Sequence, residues 1–196
     1  MGGLSANRGG PGAESPRRAS TRSAAERRGA KRPTSRPQVS GGLVEDAVVL
    51  RLGCVGERAA RFEIETEAPS PVEVVGEKVV TVPVGGSYSV VVLGPEGFRV
   101  ELSGSRDGWA AGVDVMARHT EDGADLELRN DGAHEINLHL RSRTPAGEEQ
   151  HVRVAAGGAQ PLRWPTTRGG YDLEITTPDD ETFHRRITTH PQPTPD

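Results

Sequence analysis

Cysteine is almost missing from this sequence of 196 residues, and aromatic side chains are scarce. Cys54 is the single cysteine, which excludes a disulfide framework, and the aromatics amount to two Trp, two Tyr and three Phe. No stretch approaches the ~18 uninterrupted apolar residues of a membrane-spanning helix. The 25 Gly and 15 Pro interrupt almost every segment, so long helices are not expected either. What remains is a chain of short elements with little material for a hydrophobic core.

Charge divides the chain into a basic N-terminal stretch and an acidic body. Residues 1–42 hold nine basic and two acidic side chains, a net charge of +7, whereas residues 43–196 hold fifteen basic and twenty-six acidic ones, a net charge of −11. The stretch 1–42 has too little apolar area to offset the ordering of its backbone, so we expect a disordered basic tail rich in Gly, Ser, Pro and Arg. It has no apolar segment of the kind that a signal peptide needs. It also has no aromatic side chain to stack on bases, so no nucleic-acid partner is expected.

From residue 43 onward, short alternating runs separated by turn residues predict antiparallel β-strands, and the set of strands occurs twice. Leu50–Ile64 matches Leu126–Leu140 at an offset of 76 residues, and Val80–Gly86 matches Val152–Gly158 at an offset of 72. We therefore predict an all-β protein of two tandem, small, Ig-like antiparallel β-sandwich domains, at residues 43–105 and 106–190, followed by a flexible tail at 191–196. The first copy is shorter and is expected to have lost a strand or merged two.

Two groups of motifs resemble a known family when they are taken together. The segment Ala155–Arg186 contains an Ala-Ala-Gly-Gly turn, a lone Trp, the run Gly-Gly-Tyr-Asp-Leu-Glu-Ile and a Phe-x-Arg-Arg strand, and Gly94–Phe98 reads Gly-Pro-Glu-Gly-Phe. Over about residues 43–190 the chain resembles the tandem C-terminal domains of bacterial phospholipases C of the phosphocholine-preferring, acid-phosphatase-related type. The resemblance implies an accessory region of a lipid-catabolic hydrolase, whose exported parent enzymes cleave the phosphodiester of phosphatidylcholine or sphingomyelin.

The same resemblance carries over no catalytic residue, because the large α/β catalytic domain of the family has no counterpart among these 196 residues. We expect the chain to be inactive alone and to need no cofactor or metal. Cys54 lies at a strand end and is expected to be a buried structural residue. The six histidines show neither His-x-His nor His-x-x-x-His spacing, and His139 is expected on the solvent face of a strand.

Four aromatic residues are the remaining candidates for function or for the core. Tyr171 and Phe183 fall at inward-facing positions and are expected to fill the core. Trp109 and Trp164 are candidate interfacial residues, since amphipathic rings favour the headgroup level of a membrane. The acidic body argues against simple attraction to an anionic membrane, which needs clustered Lys and Arg.

Two functions remain open from the sequence. The first is docking to a phospholipid membrane or substrate, or the stabilisation of a catalytic phospholipase domain. The alternative is a general adhesion or protein-binding module with no lipid connection, because β-sandwich folds host many unrelated functions.

Overall fold

A computed structural model describes residues 36–56, 59–65, 70–120, 123–144, 148–165 and 170–189, all within the compact unit Pro33–Asp196. Of the predicted tails at 1–42 and 191–196, residues 1–35 and 191–196 lie outside the described residues, whereas residues 36–42 belong to the first strand. The described part is all-β, which confirms the predicted fold class, and its one helical element is a single 3-10 turn at Pro95–Gly97. The strands are β1 (Arg36–Val44), β2 (Ala47–Val55), β3 (Ala60–Glu65), β4 (Ser70–Val74), β5 (Gly76–Pro83), β6 (Ser87–Leu93), β7 (Arg99–Ser105), β8 (Val113–Thr120), β9 (Gly123–Asn130), β10 (Ile136–Ser142), β11 (Glu149–Val154), β12 (Gly158–Pro165), β13 (Tyr171–Thr176) and β14 (His184–Thr189).

The strands form two antiparallel sheets, and the two halves of the chain contribute to them in the same way. The six-stranded sheet has the order β12-β9-β8-β1-β2-β5, and the eight-stranded sheet has the order β11-β10-β13-β14-β7-β6-β3-β4. We call β1–β7 the first half and β8–β14 the second half. Each half contributes three strands to the six-stranded sheet and four strands to the eight-stranded sheet. Within each sheet, the strands of the second half follow the reverse of the order of the corresponding strands in the first half.

The first half has not lost a strand, which differs from the expectation raised by its shorter sequence. Both halves have seven strands, β1–β7 from Arg36 to Ser105 and β8–β14 from Val113 to Thr189, and the small difference in length is spread over several connections. For example, β5 ends at Pro83 and β6 begins at Ser87, whereas β12 ends at Pro165 and β13 begins at Tyr171. Loop length changes at little cost in chain entropy, so connections can shorten without removing a strand.

The hydrogen-bond registers bear out the offset of 76 residues but correct the second match. Val39 faces Leu52 between β1 and β2, and Val115 faces Leu128 between β8 and β9, each member shifted by 76. The Val80 and Val152 segments, however, lie on β5 and β11, which belong to different sheets. The structural counterpart of Val152 is Val72, because Val72 faces Phe62 as Val152 faces Leu138. Alternation alone shows which face of a strand is buried, but not which sheet the strand joins.

β1 begins at Arg36, earlier than the first strand that hydrophobic alternation predicts at residue 43. The cause is Gly41, which occupies an inward position of β1. A Cβ added there would lie 2.7 Å from Leu50 Cδ2 and 2.9 Å from Leu102 Cδ2. Since glycine carries no hydrophobic signal, this buried strand resembles a polar linker in the sequence.

The two halves are joined strand to strand in both sheets. β1 pairs with β8, and β7 pairs with β14, both antiparallel. At the second junction Val100 faces Ile187 and Leu102 faces Arg185, so the pairing is symmetric about the facing residues Glu101 and Arg186. The buried apolar side chains of both halves form one hydrophobic cluster between the sheets.

Candidate functional site

The most prominent exposed aromatic residue of the described chain is Trp109, in the connection between β7 and β8. Its side chain is 61% exposed, and its indole ring stacks on the imidazole of His134 with centroids 4.6 Å apart and ring planes 27° apart. His134 lies in the turn between β9 and β10. The two connections therefore meet at one end of the second half, where they present an aromatic pair to solvent.

The Trp109 connection is held in place by the carboxylate of Asp180. The Asp180 side chain accepts a hydrogen bond from the N–H of Ala110 at 3.0 Å, and its other oxygen accepts from the N–H and the hydroxyl of Thr182 at 3.0 and 2.7 Å. Burial raises the pKa of Asp180, but these donors outweigh burial and lower it below the usual range. The close approach requires Gly108, where an added Cβ would lie 2.1 Å from Asp180 Oδ2. Trp109 is thus presented by a fixed connection.

Beside this connection lies a shallow groove of about 170 Å³ across β1, β2, β8 and β9. Leu43 and Val44 give it an apolar wall, and Arg129 pairs with Asp131 at 2.8 Å on its rim. Asp114 also lines it and accepts the N–H of Gly41 at 2.9 Å. Burial raises the pKa of Asp114, which the Gly41 hydrogen bond and the nearby arginines partly offset. Apolar and paired polar groups therefore lie side by side next to Ala111 and Gly112, in the connection that carries Trp109.

Trp164 is not on a surface, and its predicted docking role is corrected. It lies on β12 opposite Ala124, and only 2% of the residue is exposed. Its neighbours Arg163 and Pro165 are exposed, so Trp164 takes the inward position of the alternating strand. Tyr171 and Phe183 are buried in the same cluster, as predicted. Burial also raises the pKa of the Tyr171 phenol.

Cys54 is a buried residue on β2, as the sequence indicates. Burial raises the pKa of its thiol, although a backbone hydrogen bond from Arg36 acts in the opposite direction. A thiol with a raised pKa is a poor nucleophile at neutral pH. This residue therefore belongs to the core and does not supply a reactive group.

The hairpin of β10 and β11 brings together two histidines that sequence spacing does not connect. His139 and His151 face each other across the strands, and their rings stack with centroids 4.3 Å apart and planes 11° apart. Glu149 lies two residues before His151 on the same face and accepts a hydrogen bond from His139. One ligand atom from each of the three lies within 4.8 Å of the others. A search for His-x-His spacing misses this cluster because its members meet across a hairpin, and pairing the predicted strands in register would have found it.

Glu174 on β13 connects the cations of the same outer sheet face. Its carboxylate accepts hydrogen bonds from Arg141 at 2.7 Å, Arg143 at 3.0 Å and His184 at 3.2 Å. Partial burial raises the pKa of Glu174, but the hydrogen bonds and charges of these neighbours are stronger and lower it to about 2. Next to it, Arg186 holds Asp172 through two hydrogen bonds of 2.9 and 2.8 Å.

We expect Glu174→Gln to lower the free energy of unfolding by roughly 1–2 kcal/mol at pH 7, a value reduced by solvent screening of the half-exposed arginines. Because the pKa of Glu174 is lower in the folded chain, its contribution is complete above pH ~4.5 and is lost as the pH falls toward 2. Urea unfolding from pH 7 to pH 2.5 measures this. The acid limb of the variant should be flatter than that of the wild type, and parallel limbs would rule out this role for Glu174.

Residues 112–190 match the family model of the bacterial phospholipase C C-terminal domain, so the second half of the chain is similar to domains of this kind. The match spans less than half of the chain and covers β8–β14. No curated protein matches the chain. Among the residues that the structure describes, no helical segment has the length and hydropathy of a membrane span. The match supports the resemblance drawn from the motifs in Ala155–Arg186, and with it an accessory region of the phospholipase C type, whereas the Gly94–Phe98 motif lies outside the matched residues.

Proposed function

We propose that this chain docks a phospholipase C to the surface of a zwitterionic phospholipid membrane, because residues 112–190 match the C-terminal domain of such enzymes. Trp109 is the residue that enters the headgroup layer. The parent substrate class is then phosphatidylcholine or sphingomyelin, as the sequence resemblance implies, and the chain itself supplies attachment to the membrane.

The observation that carries this proposal is a large aromatic side chain exposed on a fixed connection. A tryptophan exposed by 61% is costly to keep in water, and its amphipathic ring suits the interface between headgroups and acyl chains. Asp180 orders the connection in advance, so binding loses little conformational entropy there. The apolar residues Leu43 and Val44 of the adjacent groove extend the surface that faces the membrane.

The charges around Trp109 favour a zwitterionic surface over an anionic one. Arg129 is paired with Asp131, Arg106 is paired with Asp46, and the charge of Arg51 in the groove acts on Asp114, so each of these cations has an acidic neighbour. An anionic membrane would be bound by a cluster of unpaired Lys and Arg, each worth about 1 kcal/mol near the surface. A balanced rim instead matches a headgroup that carries one positive and one negative charge.

We expect Trp109→Ala to weaken binding to phosphatidylcholine vesicles by about 10- to 30-fold. Removing a large side chain that the membrane buries on binding lowers the binding free energy by roughly 1.5–2 kcal/mol. Co-sedimentation of the full chain with vesicles of dioleoylphosphatidylcholine measures this. Val79→Ala is the matched control, because Val79 is an exposed apolar residue on β5, in a different element from the Trp109 connection.

Equal binding by Trp109→Ala and by the wild type would contradict the proposal, as would the absence of wild-type binding. The second result would favour the alternative of a protein-binding module, which would then be tested against the catalytic domain of a phospholipase C.

A further inference from the structure

We propose that His139, Glu149 and His151 form a binding site for a divalent transition-metal ion of the Zn²⁺ class. The site lies on the outer face of the β10–β11 hairpin and is independent of the proposed membrane attachment. It follows from the side chains of the second half alone.

The backbone places the three side chains on one face. His139 and His151 are direct partners in the antiparallel register, and Glu149 lies two residues from His151, which returns it to the same face of the strand. Leu138, Leu140 and Val152 occupy the alternate positions, toward the core. The histidine pair is therefore fixed by the same alternation that packs the hairpin on the sandwich.

The distances leave only a small adjustment for coordination. In a tetrahedral Zn²⁺ site with bonds of about 2.0–2.1 Å, neighbouring ligand atoms are roughly 3.3 Å apart. His139 and Glu149 are already in hydrogen-bond contact, and His151 Nε2 lies 3.8 Å from Glu149 Oε1. All three ligand atoms fall within 4.8 Å of one another. Because the two rings are stacked with planes 11° apart, their in-plane nitrogen lone pairs must be turned toward a common point, and coordination requires a rotation of the exposed His151 ring out of the stack.

Glu149 is available as a ligand because the cation opposite to it is already engaged. The register places Arg141 across from Glu149, but the Arg141 guanidinium binds Glu174 at 2.7 Å. The carboxylate therefore turns toward the two imidazoles. Two nitrogen ligands and one carboxylate suit Zn²⁺ and its neighbours in the transition series, whereas Mg²⁺ and Ca²⁺ prefer oxygen ligands alone.

The side of the site that faces solvent leaves room for a fourth ligand of the metal ion. β11 is an edge strand of the eight-stranded sheet, so the cluster borders solvent. Three protein ligands leave a fourth position for water or for a group from a partner. The inference concerns binding of the ion and assigns no reaction to it.

Calorimetric titration of the full chain with ZnCl2 tests the site. We expect one saturable Zn²⁺ site per chain. The affinity for Zn²⁺ should fall at least about tenfold in His151→Gln and in Glu149→Gln, because loss of a residue that only supports a metal ligand already lowers metal affinity by that factor. His184→Gln is the matched control, since His184 lies on the same sheet face but contacts Glu174 instead. MgCl2 should give no saturable heat.

A second readout separates binding at this cluster from binding elsewhere. In a ¹H–¹⁵N long-range spectrum, the ring nitrogens of His139 and His151 should shift with added Zn²⁺, and those of His134 should not. The inference is overturned if the wild type shows no saturable binding, if His184→Gln weakens binding as much as His151→Gln, or if the two ring signals do not move. Far-UV circular dichroism verifies that each variant keeps its strands.

Discussion

Replacing Trp164 by alanine is expected to lower the free energy of unfolding by about 3–5 kcal/mol. Trp164 is the largest of the fully buried side chains, and it lies on β12 at the edge of the six-stranded sheet. Its cross-strand partner on β9 is Ala124, whose methyl group is too small to fill the cavity. The penalty therefore combines the lost burial of the ring with the cost of an empty space.

Urea unfolding followed by far-UV circular dichroism measures this effect, because a fluorescence signal would change with the removal of a tryptophan. Trp109→Ala is the internal control: it removes the same side chain from an exposed position and should change the free energy by no more than ~0.5 kcal/mol. Similar values for the two variants would show that Trp164 is not the core residue described here.

We expect that the isolated second half, residues 106–190, is not stably folded at 25 °C and shows no cooperative unfolding transition. Separation exposes two strand edges, since β8 loses β1 and β14 loses β7. It also strips Arg185, which is 1% exposed, of its hydrogen bonds to the carbonyl of Ser103 at 2.5 Å and to the hydroxyl of Tyr88 at 2.8 Å. Hydrogen bonds to a charged group contribute roughly 1.5–3 kcal/mol each, so losing them destabilises the fragment further.

A matched variant distinguishes the role of Arg185 from the general effect of truncation. Val100 occupies the corresponding place in the first half, because Val100 faces Ile187 as Arg185 faces Leu102. Arg185→Val in the isolated half should therefore restore stability relative to the unsubstituted fragment. Thermal melts of the full chain and of both fragments measure this, and a fragment as stable as the full chain would mean that the junction contributes nothing.

The class of fold and its duplication were accessible from sequence because they depend on local alternation. Leu126, Leu128 and the residues flanking them alternate in the same way as Leu50 and Leu52, and this pattern fixes which faces are buried. The match of residues 112–190 to the phospholipase C family agrees with the motifs that pointed to it. The division into domains at 43–105 and 106–190 stays a prediction, and in the structure strand pairing between β1 and β8 and between β7 and β14 crosses that boundary.

Features that depend on pairing between distant strands could not be predicted from local sequence patterns. Gly41 carries no hydrophobic signal, so β1 was placed with the tail although its partners Leu50 and Leu102 approach it closely. His139 and His151 meet only because β10 and β11 pair in a particular register. The exposure of Trp109 and the burial of Trp164 were equally hidden, since a tryptophan next to turn residues is compatible with either position.

The central claim, that Trp109 enters the headgroup layer of a zwitterionic membrane, is tested most directly by quenching with brominated lipid. The chain has two tryptophans, and Trp164 is buried, so Trp109→Phe leaves a protein that reports only the core. We predict that vesicles of phosphatidylcholine brominated near the headgroup quench the wild type and leave the emission of Trp109→Phe unchanged. Equal emission of the wild type with brominated and unbrominated vesicles, at lipid concentrations that sediment the protein, would contradict the account.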